Sequence, residues 1–308
     1  MFERDALEKQ KVIAKNTRVT IFSVSSWSHY GYPYRLAHVG KVFPKLRESC
    51  YELMIDSDVS DPSVTNDDIL ADAAKYHADY IFPKDYAGKP EETLASLENF
   101  LSQYESHTDV HGKVVPVIQP DHARHLKAHK GFYDQFSHLA LGGLHGFTPE
   151  EQVAIINDVR DVIGPHKHLH AFGVGTSLKL IRAIRNRDPF VDSLDCATAE
   201  KAVFNGGVVD RRGKQQPFDL PNGDGVSAIR GQFASSILLM LNYLVGPDVN
   251  TETLEQDYEE SDLKTVQEMV TDTDVRSRHD IEWEDEFTDT DTGETPGSSE
   301  RTTLASYA

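Results

Sequence analysis

Three apolar runs in this sequence end on a carboxylate. "YELMID" stops at Asp56, "DYIFPKD" at Asp85 and "FVDSLD" at Asp195. A fourth run, "KVVPVIQ", ends on the amide of Gln119, a fifth on Gly142-Gly143 and a sixth on Gly173-Val174-Gly175. Carboxylates accept hydrogen bonds from ring N–H and exocyclic amine groups, so a carboxylate with an amide can read a purine-like edge. A second carboxylate can attack a sugar carbon as a nucleophile. Glycines let a flat ligand come close to the backbone. Each feature also has a plainer reading. Asp at a strand end is an ordinary cap or turn residue. Asp195-Cys196 before "ATAEKAVF" has the composition of a helix N-cap, with Cys196 as a small buried residue. Gln119 before Pro120 also suits a plain loop.

Chemistry at these positions requires that the runs be strands whose ends meet. Seven are short and rich in β-branched, aromatic or leucine residues: 18–26, 51–56, 79–83, 113–119, 138–143, 168–174 and 190–195. "GVVD" at 207–210 is an eighth candidate. Helical patterns lie between them, at "TNDDILADAAKYH", "KPEETLASLENFLSQYE" and "TSLKLIRAIRNR". The clearest is "TPEEQVAIINDVRDVIG", with Thr148 as N-cap, Pro149 next, Glu151 completing a capping box and Gly164 as the stop. A long apolar helix, "SAIRGQFASSILLMLNYLVG", follows near the end. The alternation predicts an α/β fold with a parallel sheet, and its span suits a (β/α)8 TIM-like barrel. A doubly wound open sheet is the alternative, but no GxGxxG follows the first strand.

The expected organisation is a barrel over 1–250, a helical extension over 251–270 and an acidic, disordered tail over 271–308. The net charge of −19 is concentrated late, since residues 251–300 hold 18 acidic and 3 basic residues. Arg182, Arg185, Arg187, Lys201, Arg211, Arg212 and Lys214 cluster in sequence around Asp195, as a phosphate-contacting rim or as ordinary solvated cations. The acidic balance suits a salt-rich cytoplasm, that of a halophile or of a virus in such a host. Two cysteines, no apolar signal core and no run long enough to span a bilayer point to a cytoplasmic location without membrane contact. No metal-ligand spacing is read among the 14 histidines, and "HKHLH" at 166–170 straddles a strand start and is expected at the surface, with a weak metal contact as the alternative. "SSWSHYGYPY" at 25–34 reads either as a base-stacking lid or as a packed loop.

"LGGLHGFTPEE", "HAFGVGTSLKLIRAI" and "VDSLDCATAEKAVFNGG" together resemble the tRNA-guanine transglycosylase superfamily, whose members carry GGL, GVG and FDC…RNG motifs in this order. "IDSD", "FPKD" and "VIQP" resemble its shorter DSGG, base-reading aspartate and VQG segments, so the likeness spans about residues 50 to 210. The resemblance implies a (β/α)8 barrel that exchanges guanine in a nucleic acid for a 7-deazaguanine base. It implies Asp195 as the nucleophile at C1′ and Asp56 as the general acid/base, with Ser57 beside it. Asp85 and Gln119 would read the base edge. Gly142, Gly143 and Leu144 would line the base, and Phe172 with Gly173 would form one wall. Lys201, Arg211 and Arg212 would meet the nucleic-acid backbone.

Departures from the family pattern bear on the substrate. No cysteine follows Cys196, so the C-terminal zinc site of the tRNA enzymes is missing from this sequence and no cofactor is expected. Lys201 stands at the family's arginine, Phe204 precedes Asn205-Gly206 where arginine is usual, and Thr148 stands at a recognition glutamate. No added RNA-binding domain is present in the sequence. A short version without zinc is similar to the DNA-modifying branch of bacteria and viruses, which favours DNA over tRNA as the partner. Exchange on tRNA, or a non-catalytic barrel subunit, are the alternatives, and a homodimer or partner subunit is compatible with each.

Overall fold

The structure, a computed structural model, describes residues 19–24, 31–174, 178–197, 207–209 and 215–217. Nine strands form one all-parallel sheet: β1 (Thr20–Val24), β2 (Tyr34–His38), β3 (Glu52–Asp56), β4 (Tyr80–Ile81), β5 (Lys113–Val114), β6 (Val117–Ile118), β7 (His138–Leu141), β8 (His168–Ala171) and β9 (Ser193–Cys196). Their order is β5-β4-β3-β2-β1-β9-β8-β7-β6. The outermost strands, β5 and β6, are separated in sequence by only Val115 and Pro116. The sheet is curled: the Tyr80 ring of β4 lies 5.5 Å from His138 of β7, and Phe22 of β1 lies 6.2 Å from His170 of β8. This is an α/β fold whose curled parallel sheet is not closed and is consistent with a TIM-like plan.

The helices are α1 (Pro44–Glu48), α2 (Asn66–Tyr76), α3 (Pro90–Tyr104), α4 (His122–Ala128), α5 (Lys130–Tyr133), α6 (Pro149–Ile163) and α7 (Leu178–Asn186). Helices α2 and α6 start where the sequence places them, each with a full capping box, Thr65 with Asp68 and Thr148 with Glu151. Strand alternation divides the core. On β3, Met54 joins the cluster on the concave side, while Leu53 and Ile55 pack with Ile69, Leu70 and Ala73 of α2. A strand buried on both faces is the normal condition of a parallel sheet.

Three expectations are corrected. The strand over 34–38, "YRLAH", was not predicted, because an arginine and a histidine interrupt its apolar character; Arg35 is nevertheless wholly buried. "GVVD" does not join the main sheet: β10 (Gly207–Val209) pairs antiparallel with β11 (Gln215–Pro217). "HKHLH" is at the surface only at its start: His166 is exposed, His168 on β8 is half-buried, and His170 is fully buried among Phe22, Phe82 and Phe172. Burial lowers the His170 pKa to about 3, so the imidazole packs as a neutral ring.

Part of "SSWSHYGYPY" is core, with Tyr32 and Tyr34 buried and the Tyr32 hydroxyl donating to the Ile21 carbonyl at 2.8 Å. The rest of that segment, the apolar helix over 227–246, the 251–270 extension and the acidic tail lie outside the described residues. Among the described residues no helix is long and apolar enough to cross a membrane.

Candidate active site

Because the sheet is all-parallel, every strand delivers its C-terminal end to one edge. Asp56 is the last residue of β3, His38 the last of β2, and Asp195 is the third residue of β9. Gln119 follows β6, Gly142-Gly143 follow β7, Phe172-Gly173 follow β8, and Asp85 lies four residues past β4. The runs singled out in the sequence therefore do converge.

Asp85 is the best-held of these groups. It is buried, and its two oxygens take different donors: Ser57 Oγ donates to Oδ1 at 2.7 Å and Gln119 Nε2 donates to Oδ2 at 2.6 Å. Gln119 is itself fixed by the Gly88 N–H, which donates to its Oε1 at 3.0 Å. This bond assigns the amide orientation, nitrogen towards the carboxylate. Burial pushes the Asp85 carboxyl up to about 6, and the charge of Asp56 adds to the rise against the Ser57 hydrogen bond.

The glycines after β7 serve this arrangement. A Cβ on Gly142 would stand 2.5 Å from Gln119 Nε2 and 3.0 Å from Val117 Cγ1. Gly143 has φ +69, and a Cβ there would meet the Pro120 ring at 2.9 Å. Leu144 is fully buried, and its carbonyl accepts from both Gln152 Nε2 and the Phe147 N–H. That leaves the Leu144 carbonyl little capacity for a ligand donor.

Asp195 is partly buried beside the β8 end. The Gly173 N–H donates to its Oδ1 at 2.7 Å, from a backbone at φ +65. Burial pushes Asp195 up to about 6; the Gly173 bond lowers it and the Asp56 charge raises it again. The helix-like "ATAEKAVF" that would make Asp195 an N-cap lies outside the described residues, as do Gly175, Lys201, Arg211, Arg212 and Lys214. Cys196 is buried in the core, as expected of a small packed residue. Phe172 is partly buried and meets Phe82 edge-on at 4.8 Å and His170 at 4.5 Å, which fixes its ring at the rim.

One group was missed in the sequence. His38 pairs with Asp56 in register between β2 and β3, and its Nδ1 lies 3.4 Å from Asp56 Oδ2. Burial pulls the imidazole down, but Asp56, Asp58 and Asp195 together hold it above its usual range. The signal was the strand "YRLAH" itself, which ends on a titratable residue as its neighbours do.

Two further placements matter. Lys84 is buried, and its Nζ donates to the carbonyls of Asp58 (3.0 Å) and Asp61 (2.7 Å), clamping the loop after Asp56. Arg187 pairs with Asn157 and Asp161 of α6 beyond the end of α7, at the opposite edge of the sheet, so it does not belong to a phosphate rim. No family model matches the sequence, and no curated protein is similar to it.

The expectation of no metal-ligand spacing also needs correction. His125 and His129 stand four residues apart at the end of α4, and with Glu91 of α3 they bring three donor atoms together. This cluster lies between the start of α3 and the end of α4.

Proposed function

We propose that the chain is a base-exchange transglycosylase, replacing guanine in DNA by a 7-deazaguanine base through a covalent Asp195–C1′ intermediate. The observation that carries this reading is the convergence at one sheet edge of Asp56, Asp85 and Asp195, each at the sequence position the motif resemblance assigns it. The reading includes a (β/α)8 barrel. It is supported by β5 and β6 sharing one six-residue segment: Val115 N donates to Ile81 O on one side and Ala140 N donates to Pro116 O on the other.

The chemistry divides among the groups as follows. Asp85 and Gln119, braced by Ser57 and Gly88, present acceptor and amide to the base edge. Asp195 Oδ1 is occupied by Gly173, and Oδ2 attacks C1′. As the C1′–N9 bond breaks, its electron pair goes to N9, which takes a proton from the Asp56–His38 pair. The incoming base then surrenders its N9 proton to that pair, N9 bonds to C1′ and the Asp195 ester bond breaks. Two displacements at one carbon retain its configuration, as in retaining glycosidases. A base in a duplex must first leave the stack.

The test is nucleoside mass spectrometry. Purified protein is incubated in high salt with a 7-deazaguanine base and either duplex DNA or tRNA, beside Asp195→Asn. A modified deoxynucleoside that the variant fails to make supports the proposal. Modified tRNA alone would move the activity to the other polynucleotide. No product on either substrate would point to a non-catalytic subunit.

A further inference from the structure

We infer that Glu91, His125 and His129 form a divalent-metal site of zinc type, built from residues other than the carboxylates at the strand ends. Glu91 Oε1 lies 3.4 Å from His125 Nδ1 and 3.6 Å from His129 Nε2, and all three donor atoms fall within 4.8 Å of one another. Tetrahedral zinc with bonds near 2.0–2.1 Å needs ligand atoms about 3.3 Å apart. Two of the three separations already approach that figure, and the third, between the two imidazole nitrogens, is no more than 4.8 Å.

Three other features fit. Two imidazoles with one carboxylate are a zinc donor set that leaves a fourth position open. The His125–x–x–x–His129 spacing puts both rings on one side of the helix end, with centroids 4.6 Å apart. The buried His125 has an outer partner, since its Nε2 lies 3.0 Å from the Tyr133 hydroxyl. With Nε2–H donating to Tyr133, Nδ1 keeps its lone pair for the metal, the outer-shell arrangement that orients a ligating histidine.

The site's place gives it a structural role. Glu91 is in the first turn of α3, three residues past Gly88, whose N–H holds Gln119. His122, one turn before His125 on α4, has its Nε2 2.8 Å from the Gly142 carbonyl. A metal here would tie together the two segments that position Gln119 and Gly142. None of this depends on the base-exchange reading.

The full chain, stripped with a chelator and dialysed, is titrated with zinc chloride, and bound metal is measured by equilibrium dialysis alongside Tm. One tight equivalent and a rise in Tm are expected. Glu91→Gln and His129→Gln should each weaken binding at least tenfold, and Tyr133→Phe about tenfold. His166→Gln, outside the cluster, should bind as the parent does. Glu91 is exposed, so its variant keeps the fold and the comparison stays informative. The site is refuted if the parent takes up no zinc, or if both ligand variants bind it as tightly as the parent.

Discussion

Asp195 combines an ionisable group, a partly buried position and a backbone donor in Gly173. Its folded carboxyl ionises near 6, whereas the unfolded group ionises near 3.9. The folded state therefore holds the proton more tightly, and stability contributed by this group is lost as pH rises from about 4 through 6. Asparagine carries no charge and can still accept from Gly173. Asp195→Asn should thus be more stable than the parent by about 1 kcal/mol at pH 8, after allowance for solvent screening, with no difference at pH 4. Urea unfolding at the two pH values measures this, and a destabilised variant at pH 8 would contradict it. On the proposed base-exchange reading the same ionisation governs turnover: kcat/KM should fall below an apparent pKa of about 6, a value belonging to the coupled carboxylates together. Gly142→Ala makes a separate point. Its Cβ would displace the end of Gln119 from Asp85. Overpacking and the broken buried hydrogen bond should lower stability by about 1–3 kcal/mol, and KM for the base should rise about tenfold.

At the level of elements, α6 and β8–β9 are joined at their far ends by Arg160, which is buried. It donates to Phe190 O, Gly164 O, Lys167 O and, at 2.9 Å, to Asp192 Oδ2. Arg160→Met should cost about 3 kcal/mol in denaturant unfolding, because it strands carbonyls and a carboxylate together. Thr148→Ala should cost only about 1 kcal/mol, the usual worth of a cap. The helix at 149–163 was legible because its caps are local chemistry written in four residues. Strands β3, β7 and β9 were legible because burial on both faces gives continuous apolar runs. Strand β2 was not, because Arg35 and His38 acquire their places only from the neighbours that the curled sheet supplies. The same holds for His170, whose polar letter conceals a neutral packed ring. The carboxylate edge was visible as a list of strand ends; the Asp85–Gln119–Gly88 chain and the His38–Asp56 pair required the register. The His125–x–x–x–His129 spacing stands in the sequence, but its third partner does not, because Glu91 comes from a different helix.

For the whole molecule, the net charge of −19 is the dominant global quantity. Residues 251–300 carry −15 of it and residues 1–250 only −5, so repulsion weakens the body chiefly through that acidic segment, and salt at 1 M shortens its range to about 3 Å. The chain should therefore unfold at a higher temperature in 2 M potassium chloride than in 0.1 M, measured at one pH. A higher Tm at low salt would argue against adaptation to a salt-rich interior. Polyanion binding by an acidic protein is sensitive to the same variable, so exchange activity belongs at the salt concentration that maximises Tm.

The central claim is that Asp195 becomes covalently joined to a sugar carbon. Its most direct test is to mix the protein with guanine-containing duplex DNA, quench with denaturant, digest, and map adducts by mass spectrometry. A deoxyribose-linked mass on the peptide carrying Asp195, absent in Asp195→Asn and discharged by added 7-deazaguanine base, is the predicted result. An adduct on another residue, or exchange of the base by a protein lacking this carboxylate, would contradict the account.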